Sequence, residues 1–91
     1  MTAISVTAGH IAKGKRRDCE RCPVALAIRD ALPDLIYARV GPVNIGLQRE
    51  ADEDLTYFAF PPEVLDFVRD YDGRRGSRPF SFELDYPAVT P

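Results

Sequence analysis

The sequence predicts an α+β domain in which two main helices pack on one face of a mostly antiparallel sheet of four to five strands. Apolar residues recur at three- and four-residue intervals in two segments, which is the spacing of amphipathic helices. Apolar and polar residues alternate in residues 43–48 and 80–85, as in half-buried strands. The chain of 91 residues has no internal repeat, so residues 1–91 are interpreted as one domain, with 86–91 as a loose tail.

The first residues predict a short strand and then a short helix. Ile4 and Val6 share one face of an alternating segment, which is the first strand. Thr7 can cap a turn of helix over residues 8–13, and Gly14 can close it. A charged loop then leads to the cysteines.

Residues 18–32 contain both cysteines and the first main helix. Its apolar residues keep helical spacing: Val24, Ala25, Ile28, Ala31 and Leu32. The N-cap is assigned to Asp18 or Cys19, and Glu20 to the first turn, where the helix dipole favours negative charge. Pro23 fits only near a helix start because it lacks the N–H that an inner turn needs. The following Leu-Pro-Asp sequence ends the helix.

Two strands joined by a turn follow this helix, and a third pairs with them. The apolar faces are assigned to Ile36, Ala38 and Val40 in the first strand, and to Val43, Ile45 and Leu47 in the second. Gly41 and Pro42 form the turn, so the two strands make a hairpin. An acidic, exposed link at residues 50–54 leads to a third strand, residues 55–60, which pairs back on the second.

The second main helix begins at two prolines and carries one apolar stripe. Glu63 suits the positive end of this helix, and Gly73 stops it. The stripe consists of Val64, Phe67, Val68 and Tyr71. We expect it to cover the apolar face made by Ile45, Leu47, Phe80 and Phe82, the last two of which belong to the final strand. A basic loop at residues 74–78 separates this helix from that strand.

The composition excludes few classes of binding partner, but it does bear on the cellular compartment. The net charge is −2 with 29% charged residues, which points to no particular polymer partner. No segment approaches the roughly 20 apolar residues of a membrane helix, and the N-terminus lacks a secretory signal pattern. Two cysteines without an export signal predict a reducing compartment, the cytoplasm, which is the host cytoplasm if a phage encodes the chain.

The spacing Cys19-x-x-Cys22 leaves three interpretations open. A dithiol redox site uses this spacing at a helix start, where the dipole stabilises thiolate, but a charged loop precedes the motif here instead of a long strand. A zinc site needs four ligands, which His10, Cys19, Cys22 and Asp18 could supply, or two chains could share their cysteine pairs. The interpretation given most weight is two small thiols that pack the start of a helix, with no cofactor bound.

Other catalytic patterns are missing from the sequence. His10 is interpreted as a surface or capping residue, because no Ser or Asp signature of a hydrolytic triad accompanies it. The Gly-Arg-Arg-Gly sequence at 73–76 lacks the lysine and the spacing of a phosphate-binding loop. The acidic link lacks the spaced ligands of a calcium loop. We therefore assign no catalytic residue.

Two basic clusters are candidate partner-binding residues. They comprise Arg16 and Arg17 beside Lys13 and Lys15, and Arg74, Arg75 and Arg78 in the later loop. If they met in space, they would form a patch for phosphate or for an acidic partner. Solvated loops remain the simpler interpretation, because acidic residues outnumber basic ones in the whole chain.

The sequence also resembles a family of small, uncharacterised proteins of tailed phages and prophages, often from actinobacterial hosts. The similarity rests on the pattern DCxxCPVALA at residues 18–27, on residues 4–14, and on residues 61–67 and 79–84. Residues 49–56 match no pattern of that family. The resemblance implies an accessory role in a phage and no particular chemistry.

Together these observations predict a non-enzymatic accessory or regulatory protein that acts by binding a macromolecule, in the first place a protein. A zinc-binding or thiol-disulfide protein centred on Cys19 and Cys22 is one alternative. A nucleic-acid-binding module that uses the arginine loops is another. Exposed apolar residues outside the core would favour protein binding, whereas a shared face for the two arginine clusters would favour nucleic acid. The oligomeric state is left open.

Overall fold

The fold of this computed structural model confirms the α+β class. The structure describes residues 2–41, 44–49, 55–59, 61–74 and 76–84. The elements in chain order are β1 (Thr2–Val6), α1 (Ala8–Lys13), α2 (Pro23–Ala31), β2 (Leu35–Val40), β3 (Asn44–Arg49), β4 (Thr56–Ala59), α3 (Pro62–Asp72) and β5 (Phe80–Leu84). All strand pairs in these ranges are antiparallel, as the alternating segments predicted.

The strands form two sheets rather than the single sheet that we expected. β1 pairs with β5 along its whole length, from Thr2 opposite Leu84 to Val6 opposite Phe80. β2, β3 and β4 form a second sheet in that order. The predicted hairpin of β2 with β3 and the return of β4 to β3 are both confirmed. α2 packs on both β1 and β2, so one helix covers the two sheets without a hydrogen-bonded ladder between them.

A single apolar core lies between α2, α3 and the two sheets. α2 contributes the largest share, because four of its residues after Pro23 are almost fully buried. The described core comprises Ile4, Val6, Cys22, Val24, Ala25, Ala27, Ile28, Leu32, Ala38, Val40, Ile45, Leu47, Val64, Phe67, Tyr71, Phe82 and Leu84. No charged or polar side chain is buried among the described residues. Desolvation of apolar area is therefore the main source of stability.

The start of α2 differs from the sequence prediction. The N-cap is Cys22, and Pro23 is the first helical residue, so neither Asp18 nor Cys19 caps the helix. Asp18 instead closes a separate turn, in which its Oδ1 accepts hydrogen bonds from the backbone N–H groups of Glu20 and Arg21. This turn competes with helical hydrogen bonding, as short acidic side chains commonly do, and delays the helix until the proline. Glu20 is consequently outside the first turn.

A β-bulge changes the first half of β2. The register shifts between Leu35 and Tyr37, after which Ala38 and Val40 face the core as predicted. The assignment of Ile36 to the same face is wrong, because the extra residue turns its side chain outward and leaves it 54% exposed. A one-residue shift moves a side chain to the opposite face of a strand.

α3 carries the predicted stripe to the core. Val64, Phe67 and Tyr71 are buried, and Val68 is packed against the core. The Phe67 ring lies 4.8 Å from the Phe80 ring, measured between centroids. The helix ends with Gly73 as C-cap, as predicted.

The N-terminal predictions are confirmed, and several others fall outside the described residues. β1 and α1 occur as expected, with Thr7 as N-cap and Gly14 as C-cap of α1. The predictions for Pro42, Val43, residues 50–54, Arg75 and the tail at 86–91 concern parts of the chain that the structure does not describe. No helix within the described ranges is long and apolar enough to cross a membrane.

Candidate functional site

The two cysteines line a cleft between the loop that contains them and the second half of α3. The cleft has a volume of about 150 Å³, and we call it the cysteine cleft. Val24, Val40 and Phe67 contribute to its largely apolar wall, while Arg17 and Asp72 stand among its polar lining residues. The backbone N–H of Arg17 donates to Asp72 Oδ1 over 3.0 Å, which fixes one side of the cleft to the end of α3.

Cys22 is a buried structural thiol. Its Sγ accepts a hydrogen bond from the N–H of Ala25 at 3.5 Å and so caps α2. Burial raises the pKa of Cys22 to about 11, although backbone hydrogen bonds from Ala25 and Val24 oppose the rise. The helix start was expected to favour thiolate, but desolvation outweighs that effect here. Cys22 is therefore protonated near neutral pH and is not an activated nucleophile.

Cys19 fixes the loop to the sheet. Its carbonyl oxygen accepts a hydrogen bond from the N–H of Val40, the last residue of β2, over 2.7 Å. Its side chain interacts with Arg39, and this interaction is the main cause of the raised pKa of Arg39. Backbone and side chain of Cys19 thus both contact the end of β2.

His10 has a capping role. Its Nδ1 accepts a hydrogen bond from the backbone N–H of Thr7 at 3.0 Å, and the N–H of His10 donates to Thr7 Oγ1, which together form a capping box. The opposite ring nitrogen, Nε2, lies 2.5 Å from Asp30 Oδ2. The Thr7 hydroxyl, the His10 ring and the Asp30 carboxylate lie in a row, as in a catalytic triad. The Nδ1 lone pair of His10, however, accepts the backbone N–H of Thr7. It is not available as a base for Thr7.

The structure does not bring His10 and the two cysteines together in the part of the chain it describes. No group of three or more His, Cys, Asp and Glu side chains among the described residues is arranged to hold a metal ion. Both ring nitrogens of His10 already have partners in Thr7 and Asp30. A zinc site shared between two chains remains a prediction that a metal measurement can test.

Arg16 and Arg17 both contact the C-terminal end of α3. Arg16 Nε donates to the carbonyl oxygen of Tyr71 over 3.1 Å, and its guanidinium lies 5.0 Å from the centre of the Tyr71 ring. The Tyr71 hydroxyl in turn donates to the carbonyl of Gly14 at 2.8 Å. Arg16 therefore stabilises the end of α3 through a hydrogen bond and a cation–π contact. The sequence pattern did not reveal this structural role.

The two arginine loops meet beside Tyr71. Arg16 and Arg74 line one surface hollow of about 410 Å³, together with Ser77, and we call it the basic hollow. Arg78 lines an adjoining hollow with Ser77, whereas Arg17 lines the cysteine cleft. The predicted clusters are thus adjacent around the end of α3, and Arg16 and Arg74 share one hollow while Arg17 and Arg78 line two others.

The outer face of the second sheet presents aromatic and basic side chains. Arg39, Gly46 and Tyr57 are paired across β2, β3 and β4 on this face, which we call the outer sheet face. Tyr57 is 60% exposed. A Cβ atom at Gly46 would lie 3.1 Å from the Tyr57 ring, so glycine there lets the ring lie flat on the strand. The ring is held by the sheet and still open to a partner.

The cysteine loop also contacts the outer sheet face. Desolvation, followed by the interaction with Glu20, raises the pKa of Tyr37. Cys19 likewise acts on Arg39, so two residues of the loop interact with side chains of the face. Sequence reasoning missed this surface. The alternation around Phe58 could have indicated that Tyr57 faces outward, but nothing in the sequence marks the bulge that exposes Ile36.

Models of protein families, curated proteins and solved structures gave no match to this chain.

Proposed function

We propose that this chain is a small non-enzymatic accessory protein of a tailed phage or prophage, and that it binds a protein partner through the outer sheet face. The observation that carries the proposal is the exposure of two large side chains, Tyr57 at 60% and Ile36 at 54%. They are the large hydrophobic residues that stand exposed among the residues described. Contiguous exposed apolar area marks interaction surfaces, and both side chains belong to strands of the second sheet.

The composition of this face supports a protein partner. Tyrosine and arginine are enriched among residues that dominate the binding energy of protein interfaces. Tyr57 rests on Gly46, so its ring loses little side-chain entropy on binding. A preorganised face of this kind costs less to dock than a flexible one.

The cysteine loop has a structural role beside this face. The carbonyl oxygen of Cys19 accepts the N–H of Val40 in β2, and the sulfur of Cys22 caps α2. The raised pKa of Cys22 leaves that thiol protonated near neutral pH, so Cys22 itself is not an attacking thiolate. We therefore assign the loop the role of supporting the sheet that carries the outer sheet face.

Affinity capture from an actinobacterial host lysate tests the proposal. The double variant Ile36→Ser with Tyr57→Ser should lose a partner that the unchanged protein captures, while its circular dichroism spectrum stays the same. The control is Arg29→Ser with Glu63→Ser, which changes two exposed helix residues and keeps the net charge. Equal capture by the double variant and the control would refute the outer sheet face as the binding surface.

A further inference from the structure

We propose that the basic hollow is a binding site for a single phosphate group. This inference is independent of the protein-binding face, because the hollow lies at the end of α3 and the face belongs to the second sheet. Arg16 and Arg74 line the hollow together with Ser77. No carboxylate of the described residues lines it.

Arg16 is held in place before any ligand arrives. Its Nε is used for the carbonyl of Tyr71, and its guanidinium lies near the Tyr71 ring. The terminal nitrogens of the same fork can bind oxygens of a phosphate, whose geometry matches guanidinium donors. A fixed donor loses little entropy when it binds a ligand. Ser77 adds a neutral hydroxyl that can donate to a phosphate oxygen.

The backbone supplies an independent reason. Arg17 and Arg74 have φ angles of 58° and 59°, and they are the non-glycine residues with positive φ in the described part of the chain. Arg74 directly follows the C-cap of α3, where glycine is the preferred left-handed residue. An arginine there is more strained than a glycine would be. Strain of this kind concentrates at functional sites, where the side chain is needed for binding.

The charge distribution favours one phosphate over a long polyanion. The whole chain has a net charge of −2, so the positive charge in this region is local. Nucleic-acid binding that is independent of sequence uses a basic track that contacts many phosphates. A surface hollow lined by two arginines suits a phosphate monoester or the end of a small phosphorylated molecule.

An NMR titration with pyrophosphate at constant ionic strength, against chloride, tests the site. In the unchanged protein, the amide signals of residues 14–17 and 73–78 should shift and saturate. Arg74→Gly should weaken pyrophosphate binding by about tenfold or more, because a charge-assisted contact is lost. Its melting temperature should be equal or higher, because glycine relieves the positive φ. The loss of binding then cannot be a loss of folding.

Arg29→Ser is the control, since it removes the same charge from an exposed position of α2. It should bind pyrophosphate as the unchanged protein does. Shifts that do not saturate, or equal affinity in Arg74→Gly, would overturn the site. The same titration with a nucleoside monophosphate and with a short single-stranded oligonucleotide distinguishes a small phosphorylated ligand from nucleic acid. Similar affinities support a site for one phosphate, whereas affinity that rises with oligonucleotide length overturns it in favour of a nucleic-acid track.

Discussion

The N–H of Val40 donates to the carbonyl oxygen of Cys19 over 2.7 Å, which ties the cysteine loop to the last residue of β2. The side chain of the same cysteine also interacts with the neighbouring Arg39, whose pKa it raises. Cys22, three residues after Cys19 in the chain, caps α2, the helix that covers both sheets. The pair of cysteines therefore links the central helix to the sheet whose outer face we propose as the binding surface.

The capping role of Cys22 predicts an order of stabilities. Serine at position 22 keeps an acceptor for the N–H of Ala25, whereas alanine removes it. We expect Cys22→Ala to lower the free energy of unfolding by about 1 kcal/mol more than Cys22→Ser. Urea denaturation of the two variants measures the difference. Equal stabilities would show that the sulfur contributes by packing alone.

The raised pKa of Cys22 predicts a loss of stability at alkaline pH. Below pH 9 the thiol keeps its proton in both the folded and the unfolded chain. Between pH 9.0 and about 11 the unfolded thiol ionises while the folded one does not, so the free energy of unfolding falls as pH rises. Cys22→Ser lacks this titration. The stability of the unchanged protein relative to that variant should therefore decrease across this range, and a constant difference would contradict a buried thiol.

We predict that the purified protein carries no stoichiometric zinc. Both ring nitrogens of His10 have other partners, and the described residues contain no group of three or more His, Cys, Asp and Glu side chains that could hold a metal ion. Native mass spectrometry should give the mass of the metal-free chain, and a chelator should leave the melting temperature unchanged. One zinc per chain or per pair of chains would contradict this prediction and favour the zinc alternative.

Phe67 is predicted to be the most sensitive position of α3. It is buried, and it packs against Phe80 at 4.8 Å and Tyr71 at 5.9 Å between ring centroids. Phe67→Ala should cost about 3–5 kcal/mol, a large part of the stability of a small domain. The exposed neighbour Asp66→Ala serves as the control in thermal unfolding. A melting temperature unchanged by Phe67→Ala would mean that Phe67 is not part of the core.

The helices and strands were largely predictable because their signals are local. The stripe of α3 and the alternation of β5 depend only on residue spacing, and both are confirmed. The proline at 23 indicated correctly that a helix begins nearby. The N-cap of this helix could not be placed from the sequence, because Asp18 and Cys22 can both accept hydrogen bonds from backbone N–H groups. In the structure Asp18 closes a turn of its own and Cys22 caps the helix.

The division into two sheets and the site geometry depend on long-range packing. The sequences of β1 and β5 would also allow one of these strands to pair with the edge strand β2. That they form a separate sheet instead depends on how α2 covers both sheets. The exposure of Ile36 follows from a bulge without a glycine to mark it. The meeting of Arg16 and Arg74 beside Tyr71 joins loops that are far apart in the chain, which periodicity alone cannot reveal.

Hydrogen–deuterium exchange of the captured complex tests the proposed binding surface most directly. The account predicts that the partner slows exchange in residues 35–40, 44–49 and 56–59, which form β2, β3 and β4. Exchange in β1 and β5 should stay as it is in the free protein. Protection confined to residues 14–17 and 73–78, with no change in the second sheet, would contradict the outer sheet face as the site of protein binding.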